Sequence, residues 1–256
     1  MPDGRRARTA GHLKRFCLIR RRPERGACYV AAVTKLILAL HGADLGSRLC
    51  ESSFREALAG VGATAVQVNL DDPEVASATL RFGPAEQITA LVSVWTAGDP
   101  ARIVEAVAEA AGEPVPHAYR VSERVRLDPL PVPDGTRSDV LANVALLPRP
   151  ATMSRAEYLE YWHVHHTPIA IRTQNTAGYI QNTVDEVLTP GAPDVSAIVE
   201  EHFPMAAMSD PHAFYGSRGD DAELERRITE LMASCARFGA DQGLDLVPTS
   251  RYYWAL

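Results

Sequence analysis

Lysine is almost absent: among 256 residues with 26 basic side chains, Lys14 and Lys35 are the lysines and the others are arginine. With abundant alanine, that skew reflects a GC-rich gene and carries no mechanism. Cysteine is scarce too. Cys17, Cys28, Cys50 and Cys235 show no C-x-x-C spacing, which argues against a disulfide framework or a cysteine zinc site and suits a reducing, cytoplasmic setting. No apolar run approaches the ~20 residues that would span a bilayer, so no membrane partner is expected. There is no G-x-G-x-x-G, no Walker loop and no G-x-S-x-G elbow, so nucleotide cofactors and covalent hydrolase chemistry have no support. Excess positive charge is missing as well. A net charge of -6 disfavours a nucleic-acid partner.

What is present is ordinary globular composition, 46% apolar and 23% charged, in a chain long enough for two units of roughly 100 residues. Residues 1–33 stand apart as a basic, flexible arm containing Arg5, Arg6, Arg8, Arg20, Arg21, Arg22 and Arg25. An export signal is the other reading of Arg21-Arg22 and the apolar stretch after it. Lys35 interrupts that stretch, however, and residues 34–39 are needed as a strand.

From Thr34 the pattern predicts strand, helix, strand, strand, helix, strand: 35–41 (KLILALH), 47–60, 63–71 (ATAVQVNLD), 87–95 (QITALVSVW), a helix opened by Asp99-Pro100 and running to 111, and 117–126. Residues 128–137 (DPLPVPDGTR) form a linker. The order then recurs. Residues 139–147 form a strand, 154–172 a helix with the capping box Ser154-x-x-Glu157, 178–187 and 195–203 strands, 222–239 a helix and 250–256 a last strand. Gln67 and Asp71 match Gln181 and Asp185 in register, and an Asp-Pro pair follows the third strand in both halves, at Asp99-Pro100 and Asp210-Pro211. The expected fold class is α+β: two tandem ferredoxin-like β-α-β-β-α-β repeats, a degenerate one at 34–127 and a second at 138–256. Each repeat leaves one sheet face bare. The two would cover each other as an intramolecular dimeric α/β-barrel, a pseudo-dimer for which a further homodimer stays open.

Residues 153–170 (MSRAEYLEYWHVHHTPIA) carry the chemistry. On a helix Tyr158, Trp162 and His166 share one face, His163 lies one helical step from His166, and His165 points elsewhere. Pro168 suggests that the helix loosens after the histidines. A histidine at a helix C-terminus feels the negative end of the dipole, which raises its pKa toward acid/base service near neutrality.

The run Tyr161-Trp162-His163-Val164-His165-His166-Thr167-Pro168 resembles the Tyr-Trp-x-x-x-His-x-Pro signature of the EthD family, and Gly178-Tyr179-Ile180-Gln181-Asn182 resembles that family's second strand. The likeness covers residues 138–256. Over the first half it rests on element order alone. It implies a dimeric α/β-barrel, with His166 in the place of the family histidine. It also implies relatives acting without cofactors as dehydratases, decarboxylases or cyclases on polyketides and aromatic pigments.

The expected function is therefore a cofactor-independent lyase-type step on an apolar, aromatic or polyketide-like small molecule. His166 would transfer a proton and Asn182 would orient an oxygen. Tyr158, Trp162, His163 and His202 would contact substrate. A cofactor-free monooxygenase and a non-catalytic binding protein are the alternatives. Each residue also has a plainer reading: His166 as a helix-end histidine seating the next loop, Tyr158 and Trp162 as core, Asn182 bonded to neighbouring backbone. Gln181, Thr183 and Asp185 are expected to face the lumen between the repeats. A metal shared by His163, His166 and a strand ligand such as His202 is disfavoured, because no H-E-x-x-H pattern appears.

Overall fold

A computed structural model describes residues 33–84, 87–112 and 115–256. The arm expected over 1–33, with Cys17 and Cys28, lies outside these residues but for Val33. Among the described residues there are eight strands, β1 Thr34–Leu40, β2 Ala63–Leu70, β3 Ala90–Thr96, β4 His117–Leu127, β5 Leu141–Leu147, β6 Gly178–Val187, β7 Ala197–Phe203 and β8 Asp245–Ala255. The helices are α1 Leu45–Leu49, α2 Ser52–Gly60, α3 Pro100–Ala111, α4 Arg155–Glu160, α5 Thr167–Thr173, α6 Pro211–Tyr215 and α7 Asp221–Phe238.

All pairings are antiparallel and close into a barrel, β1-β3-β2-β8-β5-β7-β6-β4. The first four strands run β4-β1-β3-β2 and the last four run β8-β5-β7-β6. The halves join at β2–β8, with Gln67 opposite Tyr253, and at β4–β6, with Val121 opposite Val184. Closure leaves no open edge to be shielded.

Alternation along each strand sets two environments. In β1, Leu36, Leu38 and Leu40 face outward onto Leu49, Phe54 and Leu58 and onto Ile103 and Val107 of α3. Ile37 and Ala39 face inward, onto Leu91, Tyr119, Val144 and Ile198. In the second half Ala145, Tyr179 and Val199 face outward onto Tyr158, Trp162, Leu231 and Phe238. Strong β-formers on both faces fit a sheet that is helix-covered outside and self-covered inside.

Several boundaries differ from expectation. The helix expected over 47–60 is two helices, broken at Cys50 and Glu51, because Glu51 adopts an extended backbone as the N-cap of α2. β8 starts at Asp245 rather than at 250, since Leu246 and Val247 pair with β5. The Asp99-Pro100 and Asp210-Pro211 pairs behave alike, each aspartate accepting from the backbone N–H two residues on. Residues 128–137, read as the linker, dock on β8: Gly135 N–H donates to Tyr253 O at 2.8 Å, and Asp134 accepts from Ala255 N–H at 3.1 Å.

Candidate functional site

The expected helix over 154–172 begins as its sequence dictates. Ser154 Oγ accepts from Glu157 N–H at 3.2 Å, and Glu157 Oε2 accepts in return from Ser154 N–H at 2.8 Å. It does not end at the histidines. Tyr161–His166 forms a π-helical turn and leads straight into α5, with Pro168 in its first turn. A proline inside an α-helix clashes with the carbonyl four residues back; a wider turn relieves that contact. Thr167 Oγ1 closes the turn on Trp162 O at 2.7 Å.

The π turn decides what the motif residues touch. Tyr158 and Trp162 are wholly buried beneath α7 and pack with Phe238. His166 is 7% exposed; its Nδ1 meets Ser234 Oγ at 2.9 Å and its ring packs on Phe238. Burial holds its pKa down to about 4, the reverse of the rise expected from a helix end, because the helix continues past it and leaves no dipole end there. His163 lies between Arg124 and Thr183, each at 3.4 Å, and burial with the charges of Arg124 and Arg126 holds it at about 4 as well. His165 is exposed against Tyr161. The three histidines thus point into three surroundings.

Asn182 is separated from all of them by the sheet. It shares the inward face with Ile180 and Val184, and its Nδ2 donates to Ile198 O at 3.1 Å. The facing of its neighbours is therefore the reverse of the expectation. Gln181 points outward and donates to Thr167 Oγ1 at 2.9 Å, Thr183 points outward to His163, and Asp185 is exposed.

His202 is inside the barrel too, lying against Gly178, where a Cβ would approach its Nδ1 to 2.6 Å. It meets Glu200 at 2.7 Å, and Gln67 of the other half donates to the same carboxylate at 2.7 Å. Arg251 donates to Gln67 Oε1 at 2.9 Å and Asn69 to Thr249 at 3.0 Å. Burial pushes the Glu200 carboxyl up, but the His202 hydrogen bond and the charges of His202, Arg251 and Lys35 outweigh it and hold the group well below the usual carboxylate range. On the outer face of the same strand burial raises Glu201 to about 7, opposed only by a hydrogen bond from Gln174.

A cavity of about 730 Å³ opens at one end of the barrel, away from every residue singled out above. Ile88, Leu146, Val195 and Leu244 line it, with Phe82 and the prolines Pro84, Pro148 and Pro193 around the mouth. Such a volume and such apolar walls suit a small organic molecule. Its polar groups converge. His41, just past β1, and His117, opening β4, bring Nε2 and Nδ1 to 3.4 Å with the rings edge to face. Asp245, at the start of β8, lies close enough for His41 to act on its carboxyl, which burial nonetheless raises above its usual value. Phe82 pairs with Leu246 through both backbone bonds, at 3.2 and 2.8 Å. Gly83, at φ +148°, permits this, since a Cβ there would strike the Asp245 carboxylate.

Sequence reading missed this site because His41 and His117 are 76 residues apart and neither sits in a motif. A signal existed. In a 4-1-3-2 sheet the first and fourth strands are neighbours, so the end of one faces the start of the other.

No protein-family model matches the chain, and no curated protein matches it. Solved structures do. An anthrone oxidase-like protein is 9% identical and aligns over 87% of this chain and 92% of its own, with a TM-score of 0.52. A protein assigned as a monooxygenase from Lactobacillus acidophilus NCFM is 9% identical over 87% and 95%, with a TM-score of 0.43. Another from Fusobacterium nucleatum subsp. nucleatum is 10% identical over 88% and 94%, with a TM-score of 0.45. These are proteins of the dimeric α/β-barrel kind, and the first carries the likeness in fold. The lyase-type expectation is corrected here, because the structure that carries the likeness in fold is named for an oxidase and not for a lyase.

Proposed function

We propose that the chain is a cofactor-independent monooxygenase that oxidises an activated C–H of an apolar, ring-bearing small molecule with dioxygen, and that the barrel-end cavity is its site. The observation that carries this reading is the pair of imidazoles, 3.4 Å apart, on the wall of an apolar cavity of about 730 Å³. One imidazole takes the proton of an acidic methylene. The resulting carbanion passes one electron to dioxygen, and the radical pair joins as a peroxide, which the imidazolium protonates. Loss of the second C–H proton to the imidazole then breaks the O–O bond and expels hydroxide, and the hydroxide takes that proton to leave as water. In balance, one methylene and one dioxygen give one ketone and one water. Apolar walls keep the carbanion from being reprotonated by water.

In this reading His166, Tyr158, Trp162 and His163 pack and brace the second half, and Asn182 and His202 shape the lumen. The EthD-like motif over 161–168 then marks kinship of the second half rather than the reacting groups. Duplication of a 34–127 and a 138–256 unit accounts for the same strand order in both halves and for the matching Asp-Pro caps.

Oxygen-electrode measurements with a panel of anthrone-type ring ketones test the reaction. Uptake of one dioxygen per ketone formed is expected, with a drop of about 10²–10⁴-fold in His41→Ala and His117→Ala. Unchanged uptake in both variants would remove the site from the mechanism.

A further inference from the structure

The charge of the cavity wall narrows what can enter. Its described lining carries Asp194, Asp241 and Asp245, with the two imidazoles and neither lysine nor arginine. The remaining lining side chains are apolar or glycine. Lys35 and Arg251, on β1 and β8, are engaged elsewhere: Lys35 with Glu123 at 2.6 Å and Arg251 with Gln67 at 2.9 Å. Asp194 is exposed at the mouth, and Asp241 and Asp245 are half-buried. A guest therefore passes one carboxylate at the mouth and meets two more within.

We infer that the barrel-end cavity selects uncharged or cationic ring compounds and rejects carboxylated ones. This inference rests on the cavity being the ligand site. An anionic guest would approach three carboxylates in a partly desolvated space with no lysine or arginine among the described lining residues to offset them, so like-charge repulsion and desolvation act in the same direction. A neutral ring system meets neither cost and gains apolar contact. A cationic ring gains attraction as well. The specificity so built is repulsive: it excludes acids rather than reaching for a particular substituent.

Three probes of one shape separate the terms: 2-naphthol, 2-naphthylmethylamine and 2-naphthoic acid, titrated at about pH 7 against the full chain by calorimetry. The hydroxyl and ammonium probes are expected to bind, and the carboxylate at least about ten-fold more weakly. The gap should shrink in Asp194→Asn, whose exposed position spares the fold, and close in the triple variant Asp194→Asn/Asp241→Asn/Asp245→Asn. Equal or tighter binding of 2-naphthoic acid, or a gap untouched in the triple variant, overturns the inference. So does failure of all three probes to bind. The oxygenase reading stands or falls separately, on oxygen uptake and its loss in His41→Ala. Charge selection without oxygen uptake upholds this inference while sinking that chemistry.

Discussion

At the residue scale, burial decides which titratable groups can serve near neutrality. His166, buried, and Glu201, partly buried, face each other's problem in mirror image: desolvation favours the neutral form of each. His166, held at about 4, contributes stability that is fully present above the ordinary histidine value near 6.5 and is lost as pH falls through 6.5 toward 4. Replacing it by Gln should flatten the stability profile between those values, as read by urea midpoints across pH. Glu201, raised to about 7, acts in the other direction. The folded state binds its proton more tightly than the unfolded chain does, so stability falls as pH rises from about 4.5 through 7 and then levels off. Glu201→Gln should therefore stabilise the protein above neutrality, by an amount on the order of 3 kcal/mol at most, with little effect at pH near 4. A variant no more stable than wild type at about pH 8.5 would show that the carboxyl is hydrated there. His41 and His117 are only partly buried.

At the element scale the π turn is the device that turns a family-like motif into packing. It carries Pro168 without ending the helix, and Thr167 ties it both to Trp162 O and to Gln181 of β6. Thr167→Val keeps the shape and removes both bonds; Trp162 O keeps the Thr167 backbone N–H, but the buried Gln181 amide is left short of a partner. A loss of about 2–3 kcal/mol in denaturant unfolding is expected. The segment at Phe82 and Gly83 is the second such element. Gly83→Ala adds a methyl group at a left-handed backbone position against Asp245, so the segment must lift away. Ligand affinity should fall by more than stability does. A change in melting temperature with unaltered binding would place the segment outside the site.

At the scale of the whole molecule, closure of the barrel ties the halves through buried charge. Glu200 of the second half accepts from Gln67 of the first, and His202 and Arg251 complete the arrangement. Removing the carboxylate in Glu200→Ala strands buried donors and should cost about 3–5 kcal/mol. In the wild type the same group makes stability fall as pH drops below its unfolded value near 4.5, because its folded value lies far lower. Residues 32–256 should therefore unfold in one calorimetric transition. Two resolved transitions, one for each half, would contradict a lumen held in common.

Much of this was readable from the chain. The strand periods, the Asp-Pro caps and the capping box at Ser154 are local, set by residues within a few positions of one another, and the order they imply is the order observed. The alternation also grouped Ile180, Asn182 and Val184 on one face. Which face that was could not be read, because both faces of a barrel strand are apolar enough to be buried. Tertiary structure alone decided that Asn182 looks into the lumen and Gln181 at the helices. It also decided that the helix runs on past His166, and that His41, His117 and Asp245 meet around a cavity. Periodicity reports how each segment repeats along itself; a site assembled from the ends of β1, β4 and β8 depends on how the barrel closes, and closure is fixed by long-range pairing that no short window of sequence contains.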